Sequence, residues 1–158
     1  MNEVKGPPVF IAIDPGHTSG WALFDTADGT FASGEVEGRR LLYRFIEGII
    51  EDGRPAHLVV EQFDIGEETT ENTRQLDAVF ILGALEYVAA KLGLGFTVQQ
   101  RAAAKTFSHD AKLKALGWWF RGGEGHANDA ARHLLAWMVD TRASGSGPLM
   151  RRLLEALG

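Results

Sequence analysis

The sequence predicts an α/β domain. It has a mixed five-stranded sheet, three antiparallel strands followed by parallel ones, flanked by helices. Three observations predict it. VFIAID at 9–14 and HLVVE at 57–61 are short, dense apolar runs of the length of buried strands. The segments 39–51 and 127–140 repeat their apolar residues at helical spacing. The resulting order, β-β-β-α-β-α-β-α, places helices on the faces of a sheet.

Residues 9–14 form the first strand, and PGHTSG turns the chain. WALFD at 21–25 is the second strand. ADG makes a hairpin turn into the third, TFASGEV. In RRLLYRFIEGIIE, Leu41, Leu42, Phe45, Ile46, Ile49 and Ile50 share a helical face, and DGRP ends that helix. HLVVE is apolar enough for a central strand parallel to the first. FDIGEETTENT is an acidic connection to a long helix at 72–92. FTVQQ is the fifth strand, 101–116 is short helical material, and WWFRGGEG is an aromatic, glycine-rich loop. An amphipathic helix at 127–140 and a short one in PLMRRLLEALG, with Pro148 near its first turn, complete the chain.

The 158 residues fit one domain, 1–158, with a sizeable core. Apolar content of 45% and charged content of 23% are ordinary for a globular protein. Cysteine is absent, which excludes disulfides and thiolate metal sites. MNEVKGPP is unlike a signal peptide, and no apolar run approaches the ~20 residues of a membrane span. A cytoplasmic protein without membrane partners is expected.

The formal net charge of −5 weighs against a general nucleic-acid binder, but the charge is unevenly placed. Acids dominate 47–77. From 91 to 132, Lys91, Arg101, Lys105, Lys112, Lys114, Arg121 and Arg132 face only Asp110, Glu124 and Asp129. A local DNA-facing surface is compatible with this, as is a solvated mixed surface.

Asp14 ends the first strand and Glu61 ends the fourth. Asp129 lies at a helix start, three residues after His126, on the same helix face. If the two strands are neighbours, both carboxylates lie at the carboxyl end of the sheet, where α/β proteins bind ligands. Gathered acids need a cation to offset their desolvation, and hard cations such as Mg²⁺ take oxygen ligands. The pattern points to metal-dependent phosphodiester cleavage, with His126 as ligand or proton relay. Each residue alone also has a structural explanation. Asp14 suits a turn, Glu61 a strand end paired with an arginine, Asp129 a helix cap, and His126 a surface or packed position. Trp118, Trp119 and Phe120 fit a loop that covers the core better than a base-stacking platform. The helix at 72–92 is apolar nearly all round, which predicts a two-fold dimer, or burial beneath the C-terminal helix.

Four of these segments resemble a known family. IAIDPGHTSGWALFD is similar to the first strand and hairpin of the RuvC-type Holliday junction resolvases. VVEQFDIG resembles their second motif. NTRQLDAVFILGALEYVAAKLGLGFTVQQRAAAKTF resembles their dimer helix, next strand and basic segment, and GHANDAARHLLAWM their last motif. The resemblance implies an RNase H-like fold and a homodimer through the helix near 72–92. It also implies Mg²⁺-dependent nicking of four-way DNA junctions, with Mn²⁺ as a substitute ion. It assigns Asp14, Glu61, His126 and Asp129 to catalysis and metal binding, and Phe63, Arg101, Lys105, Lys112 and Lys114 to DNA. Two features depart from the family pattern. Phe63 is one position nearer the glutamate than the family's inserted aromatic, and the loop bearing Glu67, Glu68 and Glu71 is acidic. They fit phage-encoded relatives that act on broader branched DNA, such as Y-forks and flaps, in a bacterial cytoplasm. An RNA-processing nuclease of the YqgF-like kind and a non-catalytic branched-DNA-binding dimer are the competing functions.

Overall fold

The computed structural model describes residues 6–51, 53–66, 73–142, 147–148, 151–152 and 155. Five strands form one sheet: β1 (Val9–Asp14), β2 (Thr18–Asp25), β3 (Thr30–Glu37), β4 (Ala56–Glu61) and β5 (Gly95–Gln99), in the order β3-β2-β1-β4-β5. β1 and β2, and β2 and β3, pair antiparallel, while β4 runs parallel to both β1 and β5. The helices are α1 (Arg39–Ile50), α2 (Thr73–Leu92), α3 (Arg101–Phe107), α4 (Asp110–Leu116) and α5 (His126–Asp140). This is the predicted mixed sheet. β2 starts earlier than WALFD because Thr18, Ser19 and Gly20 pair with Glu37, Val36 and Glu35. The helical material at 101–116 is two helices, separated at Ser108 and His109. The acidic loop 67–71 and most of the short C-terminal helix lie outside the described residues. Among the described residues, no helix is long and apolar enough to cross a membrane.

Strand alternation sorts the core into two layers. Val9, Ile11 and Ile13 of β1, with Leu58 and Val60 of β4, face α1 and α2 through Leu42, Ile46, Ile81, Leu85 and Ala89. Phe10 and Ala12 of β1, with Val59 of β4, face the opposite way. They pack beneath Ala130, Ala131, Leu134, Leu135 and Met138 of α5. Each fully buried aliphatic side chain contributes about 2 kcal/mol. The same alternation carries Asp14 and Glu61 to the α5 side, because each lies two residues beyond a side chain of that layer. Both are buried. Trp118 is buried and stacks on Phe31 at 4.1 Å, so the aromatic loop does cover the core.

At the far end of the sheet, Arg54 grips Asp25 with two hydrogen bonds, of 2.7 and 2.8 Å, and donates to the carbonyl of Pro7. The guanidinium holds the Asp25 carboxyl below its ordinary value of 3.8. This stabilisation is complete above that value and is lost as pH falls through the lowered one. Asp25→Asn is therefore expected to cost about 1 kcal/mol near neutral pH. In urea denaturation at a series of pH values, its gap from wild type closes only below about pH 4.

Candidate active site

The site is assembled where α5 crosses the carboxyl ends of β1 and β4. The register Ile13↔Val60 makes Asp14 and Glu61 the next pair along neighbouring strands. Asp14 also lies opposite Gly20 of β2. That glycine has a steric role. A Cβ built there would lie 1.9 Å from the His126 carbonyl oxygen, so only glycine lets the first turn of α5 lie against the sheet.

Glu35 of β3 fastens the same turn. Its carboxylate accepts the backbone N–H of Glu124 at 2.9 Å and that of Ala127 at 3.3 Å. Unpaired N–H groups at a helix start favour such an anion. Burial pushes the Glu35 carboxyl up, but the N–H groups of Glu124, Ala127 and His126 outweigh it and hold it below its ordinary value. Gly123, with φ +64°, leaves room, since a Cβ there would lie 2.2 Å from the carboxylate. Glu35 was not singled out by the sequence, where it reads as one polar residue of an edge strand.

Each predicted catalytic side chain has a definite partner. His126 donates from Nδ1 to Asp14 Oδ2 at 2.8 Å, while its Nε2 is 3.6 Å from Glu124. Glu61 accepts from His133 Nε2 at 2.8 Å through Oε2, and Arg101 Nε lies 3.2 Å from its Oε1. Arg132 pairs with Asp129 at 2.5 Å and also with Asp110 at the start of α4.

The electrostatics follow from that arrangement. Burial raises the Asp14 carboxyl above its ordinary value. The His126 hydrogen bond opposes this, and the negative charges of Glu61 and Asp129 add to it. Glu61 is also pushed up by burial, but the His133 hydrogen bond and the charges of His133, Arg101 and Lys105 hold it below its ordinary value. The hydrogen bond to Asp14 raises His126 against the effect of burial, with help from the charges of Asp14, Glu35 and Glu124.

Asp14, Glu61, His126 and Asp129 thus share one region and one electrostatic field. As the side chains stand, Glu61 and Asp129 are turned to their own partners. Among the described residues, no three His, Asp or Glu groups are arranged to hold a metal ion. By donor chemistry, the carboxylates of Asp14, Glu61 and Asp129 are the groups among these suited to a hard cation.

The predicted DNA-contacting residues flank the centre. Phe63 lines a cleft of about 380 Å³ together with His17, Glu37, Glu124 and His126. Arg101 and Lys105 line a second cleft of about 390 Å³ with Gln62 and Gln100, on the Glu61 side. Lys112 donates to the Phe107 carbonyl at 2.5 Å and lies over that ring, and Lys114 lies over Trp119, so both are held against their own chain.

No family model matches the chain, and no curated protein matches it by sequence. Solved structures do match in shape. RuvC of T. thermophilus, determined in complex with a Holliday junction substrate, superposes with a TM-score of 0.67 at 15% identity. The match covers 88% of this chain and 98% of that one. YeaZ from Pseudomonas aeruginosa reaches a TM-score of 0.43 at 11% identity, over 70% of this chain and 50% of that one. The architecture is therefore the RNase H-like fold, in the form seen in RuvC.

Gly20→Ala tests whether the close approach of α5 assembles the site. Overpacking at the His126 carbonyl is expected to cost about 3 kcal/mol in urea denaturation. A loss below about 0.5 kcal/mol, the range of an ordinary surface change, would contradict the packing described.

Proposed function

We propose that the chain is a divalent-metal-dependent endonuclease that cuts branched DNA and works as a homodimer. One observation carries the reading: buried Asp14 and Glu61 end adjacent strands of an RNase H-like sheet, and α5 brings His126 into hydrogen-bond contact with Asp14 and the charge of Asp129 within its field.

The donor set fits the ion. The three carboxylates suit Mg²⁺ or Mn²⁺. Burial raises the Asp14 carboxyl and the charges of Glu61 and Asp129 add to it; a bound cation would offset both. Arg101 and Arg132 already set positive charge against Glu61 and Asp129, as a metal would. Asp14, Glu61, Asp129 and His126 would hold the ion, with Arg101 moving off Glu61 and Arg132 off Asp129. When bound, it would lower the pKa of a water and stabilise charge on the phosphate. The chain's own contribution is positional. Asp14 is fixed by burial and by His126, Glu35 steadies the first turn of α5 that bears His126, and the sheet keeps Asp14 and Glu61 in register. His126 hydrogen-bonds Asp14 through Nδ1, which leaves Nε2, on the side of Glu124, either to ligate the ion or, in place of that, to take or return a proton.

The substrate class rests on the likeness to RuvC and on the surroundings of the centre. Phe63 stands on the His126 side, ready to stack on an opened base pair, and the cations Arg101 and Lys105 stand on the Glu61 side for phosphates. Incubating the protein with Mg²⁺ and labelled four-way, Y-shaped and duplex DNA tests the reading. Cleavage of the branched substrates is expected. Asp14→Asn should abolish it while leaving DNA binding equal or tighter, because one negative charge is removed. An intact fold that cuts none of the branched substrates would reject the proposal.

The dimer is supported by α2. Ala78, Ile81, Leu85 and Ala89 are buried on the sheet, while the other side bears Phe80 at 54% and Tyr87 at 66% exposure. Gly83 has open space where a Cβ would be, which permits close helix approach. Sedimentation should give a dimer for wild type and a monomer for Tyr87→Asp, with the circular dichroism unchanged.

One observation favours a second reading, a non-catalytic binder of branched DNA. Glu61 and Asp129 already have partners within the chain. Calorimetric titration with Mn²⁺ separates the two, because a scaffold has no need of the ion.

A further inference from the structure

His133 has been placed only as a neighbour of Glu61, yet its surroundings are specific. It lies four residues after Asp129 and seven after His126, on the same face of α5. The residue is buried, with 1% of its surface exposed. Both ring nitrogens are engaged. Nε2 lies 2.8 Å from Glu61 Oε2, and Nδ1 lies 2.7 Å from the side-chain amide of Gln99. Gln99 is the register partner of Glu61 on β5, and its backbone carbonyl accepts the Gln62 N–H at 2.9 Å. One ring therefore spans two neighbouring strands from the helix above them.

A carboxylate can only accept, so the proton between His133 and Glu61 belongs to Nε2. That bond commits Oε2 to the interior of the protein. The other oxygen, Oε1, faces Arg101, whose side chain is 63% exposed. Packing alone does not explain this choice of residue. A leucine would fill the core without burying two polar nitrogens, each of which needs a partner. A buried hydrogen bond that fixes the free end of a carboxylate is a recurring way of orienting a metal-binding group.

We infer that His133, braced by Gln99, is a positioning residue that holds Glu61 with Oε1 on the Arg101 side, where an ion would take the place of the guanidinium. The inference rests on the nuclease reading above.

Three readouts test it. The first is proton NMR of the ion-free protein. A slowly exchanging, far-downfield imidazole proton is expected in wild type, and it should vanish in both Glu61→Ala and His133→Leu. Its absence from folded wild type overturns the inference whatever the activity. The second is Mn²⁺ affinity by calorimetry. His133→Leu should lose about 10- to 100-fold, and His133→Gln, which keeps a donor, should recover part of it. The third is the kinetic split on branched DNA: kcat falls in His133→Leu while KM stays near the wild-type value. Wild-type Mn²⁺ affinity and kcat in His133→Leu overturn the positioning role and leave the nuclease reading standing. A wild type that keeps the proton resonance, binds no Mn²⁺ and cuts nothing overturns the nuclease reading and the role with it. If His133→Leu does not fold, Gln99→Ala carries the test. Several-fold weaker Mn²⁺ binding supports the brace, and unchanged binding overturns it.

Discussion

The candidate site depends on how closely one helix can approach one sheet. α5 can bring His126, Asp129 and His133 to the ends of β1 and β4 only because Gly20 has no side chain beneath the His126 carbonyl. Glu35 holds the same turn from the edge of the sheet, through hydrogen bonds from backbone N–H groups, and Gly123 leaves room for its carboxylate. The apolar layer below, from Phe10 and Ala12 to Leu134 and Met138, sets the height of the helix. A small displacement of that first turn would separate His126 from Asp14 and remove the reason for burying either.

Burial of acids is the second theme. Asp14 and Glu61 sit in places that apolar side chains would fill more favourably. The fold offsets the cost locally, with an imidazole for Asp14, an imidazole and a guanidinium for Glu61, and a guanidinium shared with Asp110 for Asp129. These partners differ in kind. His126 and His133 are held by the packing of α5, whereas Arg101 is exposed and can move aside at little cost. Fixed imidazoles beside a displaceable cation suit a centre that exchanges one positive charge for another.

Much of this was legible in the chain. The strands at 9–14 and 57–61 were visible because their apolar density has no competing period, and their terminal acids stood out against it. The spacing of His126 and Asp129 is enough to place both on one face of α5. The partner of Glu61 illustrates both success and omission. An arginine at the strand end is among the expectations, whereas a mid-helix histidine such as His133 reads as structural, and only its distance of seven from His126 puts it on the same helix face. The roles of Glu35 and Gly20 were not readable, because each depends on contacts across about 90 residues or more, from Glu35 to Glu124 and from Gly20 to His126, that no local pattern encodes. The boundaries of β2 were missed for a similar reason: pairing with Glu37, Val36 and Glu35 outweighed the turn character of Thr18, Ser19 and Gly20.

The central claim is that four side chains from β1, β4 and α5 form one cation site. The most direct measurement is paramagnetic broadening of the amide and side-chain NMR signals during titration with small amounts of Mn²⁺. The account predicts that signals of Asp14, Glu61, His126 and Asp129 broaden first and together, with Arg101 shifting as it leaves Glu61. Broadening that begins at another acidic patch, or that leaves these four residues untouched, would contradict it.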